Sequence, residues 1–150
     1  MAKQLRAQID IQTTPERVWQ VLTDFADYPQ WNPFLTRAAG EPTTGSRLEL
    51  RMQPAGGRAM TFRPTVLEAT ANRRLRWLGR LLFPGIFDGE HSFTVEPLPD
   101  GRTRLVQQEE FRGVLVPFLA RSLDRRTLPA FEDMNSALKT RAEQTPAQRG

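Results

Sequence analysis

A chain of 150 residues can bury roughly two-thirds of its unfolded surface as one domain, without a covalent staple. It has no cysteine and a single histidine, His91, which excludes disulfides, thiol chemistry and an ordinary zinc site. Basic residues outnumber acidic ones by 21 to 17, but all except Lys3 and Lys139 are arginines interleaved with acids, not the concentrated stripe that follows a phosphate backbone, so no nucleic-acid partner is expected.

Leu5, Ala7, Ile9 and Ile11 alternate with Arg6, Gln8, Asp10 and Gln12, the period of a half-buried strand. Thr14 followed by Pro15 and Glu16 reads as a helix N-cap with proline at the first helical position. Val18, Trp19, Val21 and Leu22 give that helix, of about two turns, its apolar face. Phe25, Tyr28, Trp31 and Phe34 then surround Pro29 and Pro33, a composition that breaks long helix but allows a second short helix or a lid with anchored rings.

From Leu35 onward the pattern is that of strands. Leu48, Leu50 and Met52 alternate with Arg47, Glu49 and Arg51, and Pro64 inside the 60–68 run points to an edge or a bulge. Leu75, Trp77, Gly79 and Leu81 share one face of the next strand. His91, Phe93 and Val95 share a face of another, which a Pro99-Asp100-Gly101 turn connects to Thr103, Leu105, Gln107, Glu109 and Phe111. A three-residue loop sets Val95 opposite Leu105, Phe93 opposite Gln107 and His91 opposite Glu109; a shift by two brings Phe111 there instead, and only such even shifts keep both apolar faces on one side. A final helix opens at Pro117 and carries an apolar stripe through Leu119, Leu123, Phe131, Met134, Leu138 and Ala142. Pro129 falls inside it and should kink or break it near Arg125. One domain over residues 1–143 is expected, with a frayed tail at 144–150.

The blocks Thr14-Pro15-Glu16-Arg17-Val18-Trp19, Asp27-Tyr28-Pro29-Gln30-Trp31-Asn32-Pro33, Gly89-Glu90-His91-Ser92-Phe93, Glu109-Glu110-Phe111-Arg112-Gly113 and Phe131-Glu132-Asp133-Met134-Asn135 occur in this order. With the strand, two short helices, antiparallel strands and long C-terminal helix, this pattern resembles the α+β helix-grip domain of the START/Bet v1-like (SRPBCC) superfamily, especially its bacterial polyketide cyclase/dehydrase-like members. The resemblance covers nearly the whole chain; Pro129 is a departure from it. It implies a curved sheet wrapped around the last helix, with a cavity between them for apolar or amphipathic molecules, in a superfamily that includes cyclases, lipid carriers and co-chaperone domains.

Trp31, Phe34, Leu50, Phe62, Trp77, Phe93 and Phe131 are the candidate lining residues, with ordinary core as the plainer alternative for each. His91 and Glu109 are candidates for hydrogen bonding to a polar group of the ligand. A proton relay between them would make the protein a cyclase or dehydratase, although no activated nucleophile or third orienting group is visible. Arg104 or Arg63 neutralising Glu109 is the bland alternative. Asp24 with Asp27 reads as solvated caps, and Gly56-Gly57 as a turn rather than a phosphate loop. The apolar 81–83 stretch would be a surface patch if exposed, near the pocket entrance or a partner. The expected function is binding of a small hydrophobic ligand without catalysis, a protein-interaction domain being the further alternative. No metal or cofactor is implied. No apolar run approaches the roughly 18–20 residues that span a bilayer, so no membrane insertion is expected and the cytoplasm is the default location.

Overall fold

The structure, a computed structural model, describes residues 2–81 and 83–144. The elements run β1 (Ala2–Ile11), α1 (Pro15–Thr23), a 3₁₀ turn (Phe25–Asp27), α2 (Tyr28–Trp31), β2 (Leu35–Ala39), β3 (Glu49–Met52), β4 (Met60–Phe62), β5 (Thr65–Thr70), β6 (Arg74–Leu81), β7 (Phe87–Pro97) and β8 (Thr103–Arg112). The C-terminal helix follows as α3 (Val116–Ser122), a π turn (Leu123–Thr127) and α4 (Leu128–Glu143). The architecture is the expected α+β helix-grip. The tail expected at 144–150 lies outside the described residues from position 145 on.

All strands pair antiparallel, in a five-stranded sheet ordered β1-β8-β7-β6-β5 and a three-stranded sheet ordered β2-β3-β4. Pro64 explains the division: it cannot donate to a ladder, so the 60–68 run breaks into β4 and β5, and a register shift follows between Val66 and Glu68. The two sheets stay joined, because Leu48 N donates to Pro64 O and Val66 N to Ser46 O, each at 2.8 Å. Phe62 of β4 lies over Gly79 of β6, where an added Cβ would meet its ring at 3.4 Å. A ring thus fills the space that glycine leaves.

Thr14 caps α1, its Oγ1 accepting from Arg17 N at 3.2 Å. Arg17 is itself buried, and its guanidinium donates to the Ala142 and Arg141 carbonyls at the far end of the C-terminal helix. That satisfies carbonyls which a helix end leaves without partners. Of the apolar stripe on the last helix, Leu123, Phe131, Met134, Leu138 and Ala142 are buried and Leu119 is half-buried. Pro129 acts as expected, and in a specific form. It has no N–H to offer Arg125, and the helix widens just before it into a π turn in which Leu128 N bonds Leu123 O. From this turn Arg126 O accepts Ala55 N, at 3.1 Å, tying the β3–β4 loop to the helix. Among the described residues no helix is long and apolar enough to cross a membrane.

Candidate functional site

The turn after β7 fixes the register on which the site depends. Leu98 and Arg102 close it, Leu98 N donating to Arg102 O at 2.8 Å, which leaves Pro99, Asp100 and Gly101 as the loop; Gly101 takes φ +86°. His91 therefore pairs with Glu109, Phe93 with Gln107 and Val95 with Leu105, as the three-residue loop requires. On the other side of β7, Trp77 pairs with His91 and Leu75 with Phe93.

The rings of these residues meet in the middle of the grip. His91 stacks on Trp77 with centroids 5.2 Å apart, and lies 4.8 Å from Phe93 and 5.0 Å from Phe131. Phe131 meets Phe34 edge-on at 5.4 Å. All five are buried, and Leu50 belongs to the same core. Trp31 and Phe62 pack against the edge of that core. Trp31 is half-buried against Tyr28 in the helical layer, beside a crevice of about 10 Å³, and Phe62 sits at the junction of the two sheets.

Inside this apolar wall runs a chain of polar side chains. His91 Nδ1 is 3.0 Å from Glu109 Oε1, and His91 Nε2 is 2.9 Å from Gln107 Oε1. Gln107 Nε2 donates to Asn135 Oδ1 at 2.8 Å and to the Phe131 carbonyl at 3.3 Å. His91 is 3% exposed, Gln107 0% and Asn135 2%, so these bonds replace hydration almost entirely. The Phe131 carbonyl sets the direction of the chain. It can only accept, so it holds the amide nitrogen of Gln107 toward itself and the amide oxygen toward His91. His91 Nε2 must then carry a hydrogen. Its Nδ1 faces Glu109 Oε1, a hydrogen-bonded contact along which a proton could pass.

Gly89 makes room for this pair. A Cβ there would lie 2.4 Å from Glu109 Oε2. Neither Arg104 nor Arg63 neutralises Glu109: Arg104 pairs with Asp10 at 2.8 Å and Arg63 with Glu49 at 3.5 Å. The alternation along β8 puts Gln107 on the inward face, but nothing local in the sequence marks it, Asn135 or Gly89 as part of a site; only the helix crossing over β8 joins Gln107 to Asn135. Among the described residues no three His, Asp or Glu side chains converge as a metal would require.

An open pocket of about 170 Å³ lies between Pro33, residues 53–56 of the β3–β4 loop, and Ala130 and Asp133 of α4. Its lining residues Pro33 and Ala130 are the sequence neighbours of Phe34 and Phe131, whose rings meet edge-on in the core. The strand registers bring the β6–β7 and β8–α3 connections to one end of the larger sheet. There Phe83, Val114 and Phe118 are exposed by 70%, 63% and 83%. The 81–83 stretch thus contributes an exposed ring at Phe83, whereas Leu82 lies outside the described residues.

Solved structures share this fold. An aromatase/cyclase from Streptomyces sp. R1128 superposes with a TM-score of 0.76 at 18% identity, covering 95% of this chain and 94% of its own. A START superfamily protein from Mycobacterium smegmatis gives 0.72 at 20% identity, covering 94% and 97%. A protein of Helicobacter pylori gives 0.79 at 18% identity, covering 94% and 88%. At these identities the likeness is one of fold. No curated protein matches the chain. Residues 2–143 match the family described as polyketide cyclase / dehydrase and lipid transport, and the chain belongs to that family.

Proposed function

We propose that the chain binds a small hydrophobic or amphipathic molecule between the sheet and the C-terminal helix, without transforming it. What supports this reading is an open pocket whose lining residues Pro33 and Ala130 adjoin Phe34 and Phe131 in sequence, together with the buried polar chain from Glu109 to Asn135 in the core between sheet and helix. The pocket of about 170 Å³ is smaller than the roughly 300–1,000 Å³ of ordinary ligand sites. Entry therefore requires Phe34 and Phe131 to part, with α4 on one side of the opening and the β3–β4 loop on the other. Trp77 and Phe93 supply apolar wall; His91 and Glu109 meet the ligand's polar group.

A second reading has its own observation. The His91–Glu109 contact is held from one side by Gln107, which resembles the oriented acid–base groups of proton-transfer catalysts. In that case the protein is a cyclase or dehydratase acting on a carbonyl compound. An exposed apolar surface at Phe83, Val114 and Phe118 keeps protein interaction as an outcome to be tested.

Native mass spectrometry of the protein purified from cells tests the binding reading, with denaturation and identification of anything released. A retained apolar molecule supports it. Protein free of any such molecule, and not stabilised by fatty acids, sterols or aromatic polyketides, sinks it in favour of an interaction domain.

A further inference from the structure

Three apolar side chains stand in solvent on two connections that are locked together. Val114 N donates to Gly85 O at 3.0 Å and Leu115 N to Ile86 O at 3.1 Å, which ties the β6–β7 turn to the start of α3. Gly113 allows this approach: it takes φ +127°, and a Cβ there would lie 2.4 Å from Ile86 O. Phe83 and Val114 therefore share one hydrogen-bonded platform, and Phe118 lies four residues on, in the first turn of α3. Single exposed apolar side chains are ordinary. A fixed group of three, with its two rings 70% and 83% exposed, is a feature to be explained.

The charge that follows this group along the chain is mostly of one sign. α3 and the π turn bury Val116 and Leu123 and half-bury Leu119, so their outer face presents Phe118, Arg121 and Arg125, all exposed. Residues 112–128 hold four arginines and a single acid, Asp124, whose carboxylate pairs with Lys3 at 3.0 Å. Among the described residues neither Arg121 nor Arg125 has an ion-pair partner.

We propose that this face docks the protein on an anionic lipid leaflet, with Phe83, Val114 and Phe118 at the boundary of headgroups and acyl chains and Arg121 and Arg125 against lipid phosphates. This goes beyond ligand binding in the core and does not depend on it. Rings supply apolar contact and arginines supply charge, the combination that holds a segment on a membrane without crossing it. A protein partner fits the patch less well. Two rings of at most about 250 Å² each and a valine fall short of the roughly 800 Å² per partner of a stable interface. A second copy of this chain would also set unpaired arginines near their own kind.

Flotation of the full chain with vesicles tests the proposal, using phosphatidylcholine alone and an equimolar mixture of phosphatidylcholine and phosphatidylglycerol. The wild type should partition onto the anionic vesicles at least about tenfold more strongly, and less so as salt is raised. Phe118→Ser should lower that partitioning about tenfold, and Arg121→Gln and Arg125→Gln about fivefold each. These side chains are exposed, so all three variants should melt like the wild type. Equal partitioning onto both vesicles, or full retention in Phe118→Ser, overturns the proposal. So does a wild type that stays off the anionic vesicles, which leaves the face to a protein partner. A monomer–dimer equilibrium abolished by Phe118→Ser overturns it in favour of a second copy.

Discussion

Ala55 N donates to Arg126 O across 3.1 Å, so the loop at the pocket mouth hangs on a helical turn that Pro129 has forced open. Replacing Pro129→Ala returns an N–H that can reach Arg125 O, and removes a ring that costs up to about 3 kcal/mol in a helix interior. The π turn should then tighten toward α geometry and turn Arg126 O away from Ala55. The expected result is an unchanged or higher melting temperature together with faster amide exchange at Ala55. Unchanged protection of Ala55 would mean that the buried Leu123 and Thr127 hold the wide turn, and not the proline.

Gly89→Ala tests whether the His91–Glu109 contact depends on an empty place beside it. The new Cβ would stand 2.4 Å from Glu109 Oε2, a distance that cannot persist, and the carboxylate is the movable partner. Glycine has no conformational advantage inside a strand, so alanine should cost little backbone stability. The variant should keep its fold while the His91 ring resonances move, as the carboxylate leaves its hydrogen-bonding place beside Nδ1. Resonances like those of the wild type would show that Glu109 has room to move without leaving the ring.

What the sequence made legible follows the separation of the interacting parts. The β7–β8 register could be read because a Pro-Asp-Gly turn and two alternating faces fix it locally, which placed His91 opposite Glu109. Thr14 and Pro64 likewise act on their immediate neighbours, the first capping α1 and the second dividing β4 from β5. The effect of Pro129 was legible as a break near Arg125, but not as a π turn, since packing chooses between a kink and a wide turn. Gln107 to Asn135, Arg17 to the Ala142 carbonyl and Ala55 to Arg126 join segments far apart in the chain. No local pattern encodes them. Trp31, an aromatic among aromatics in the sequence, packs with Tyr28 because α2 turns it toward the outer helices.

Acid stability should carry a signature of Glu68. Its hydrogen bond from Arg76 at 2.9 Å, aided by Thr70, holds the carboxyl below the ordinary value of 4.5 despite partial burial. The folded state then keeps Glu68 ionised to lower pH than the unfolded chain does. The contribution is complete above that ordinary value and fades as pH falls through the folded one. Both side chains are partly exposed, which limits it to less than about 1 kcal/mol. Glu68→Gln should therefore lower the melting temperature at pH 7 and converge on the wild type in acid. A gap that stays constant from pH 7 to pH 3 would mean that the loss comes from packing alone.

Two substitutions separate the binding and enzymatic readings. Trp77 is 1% exposed and stacks on His91, so Trp77→Ala should cost about 3–5 kcal/mol of stability through the cavity it leaves, and weaken ligand binding on either reading. His91→Gln is smaller in volume effect and keeps polar atoms near Gln107 and Glu109. Its cost should be about 1–3 kcal/mol, from imperfect pairing of those two groups. On the binding reading, Gln at this position still offers polar atoms to the ligand and the apolar wall remains, so affinity for whatever molecule co-purifies should fall by no more than about tenfold in His91→Gln. On the enzymatic reading, Gln cannot pass a proton to or from Glu109, so turnover of a carbonyl substrate should vanish while its binding persists. Parallel loss of affinity in both variants would assign His91 to the architecture of the wall, because a residue needed only for chemistry leaves binding untouched.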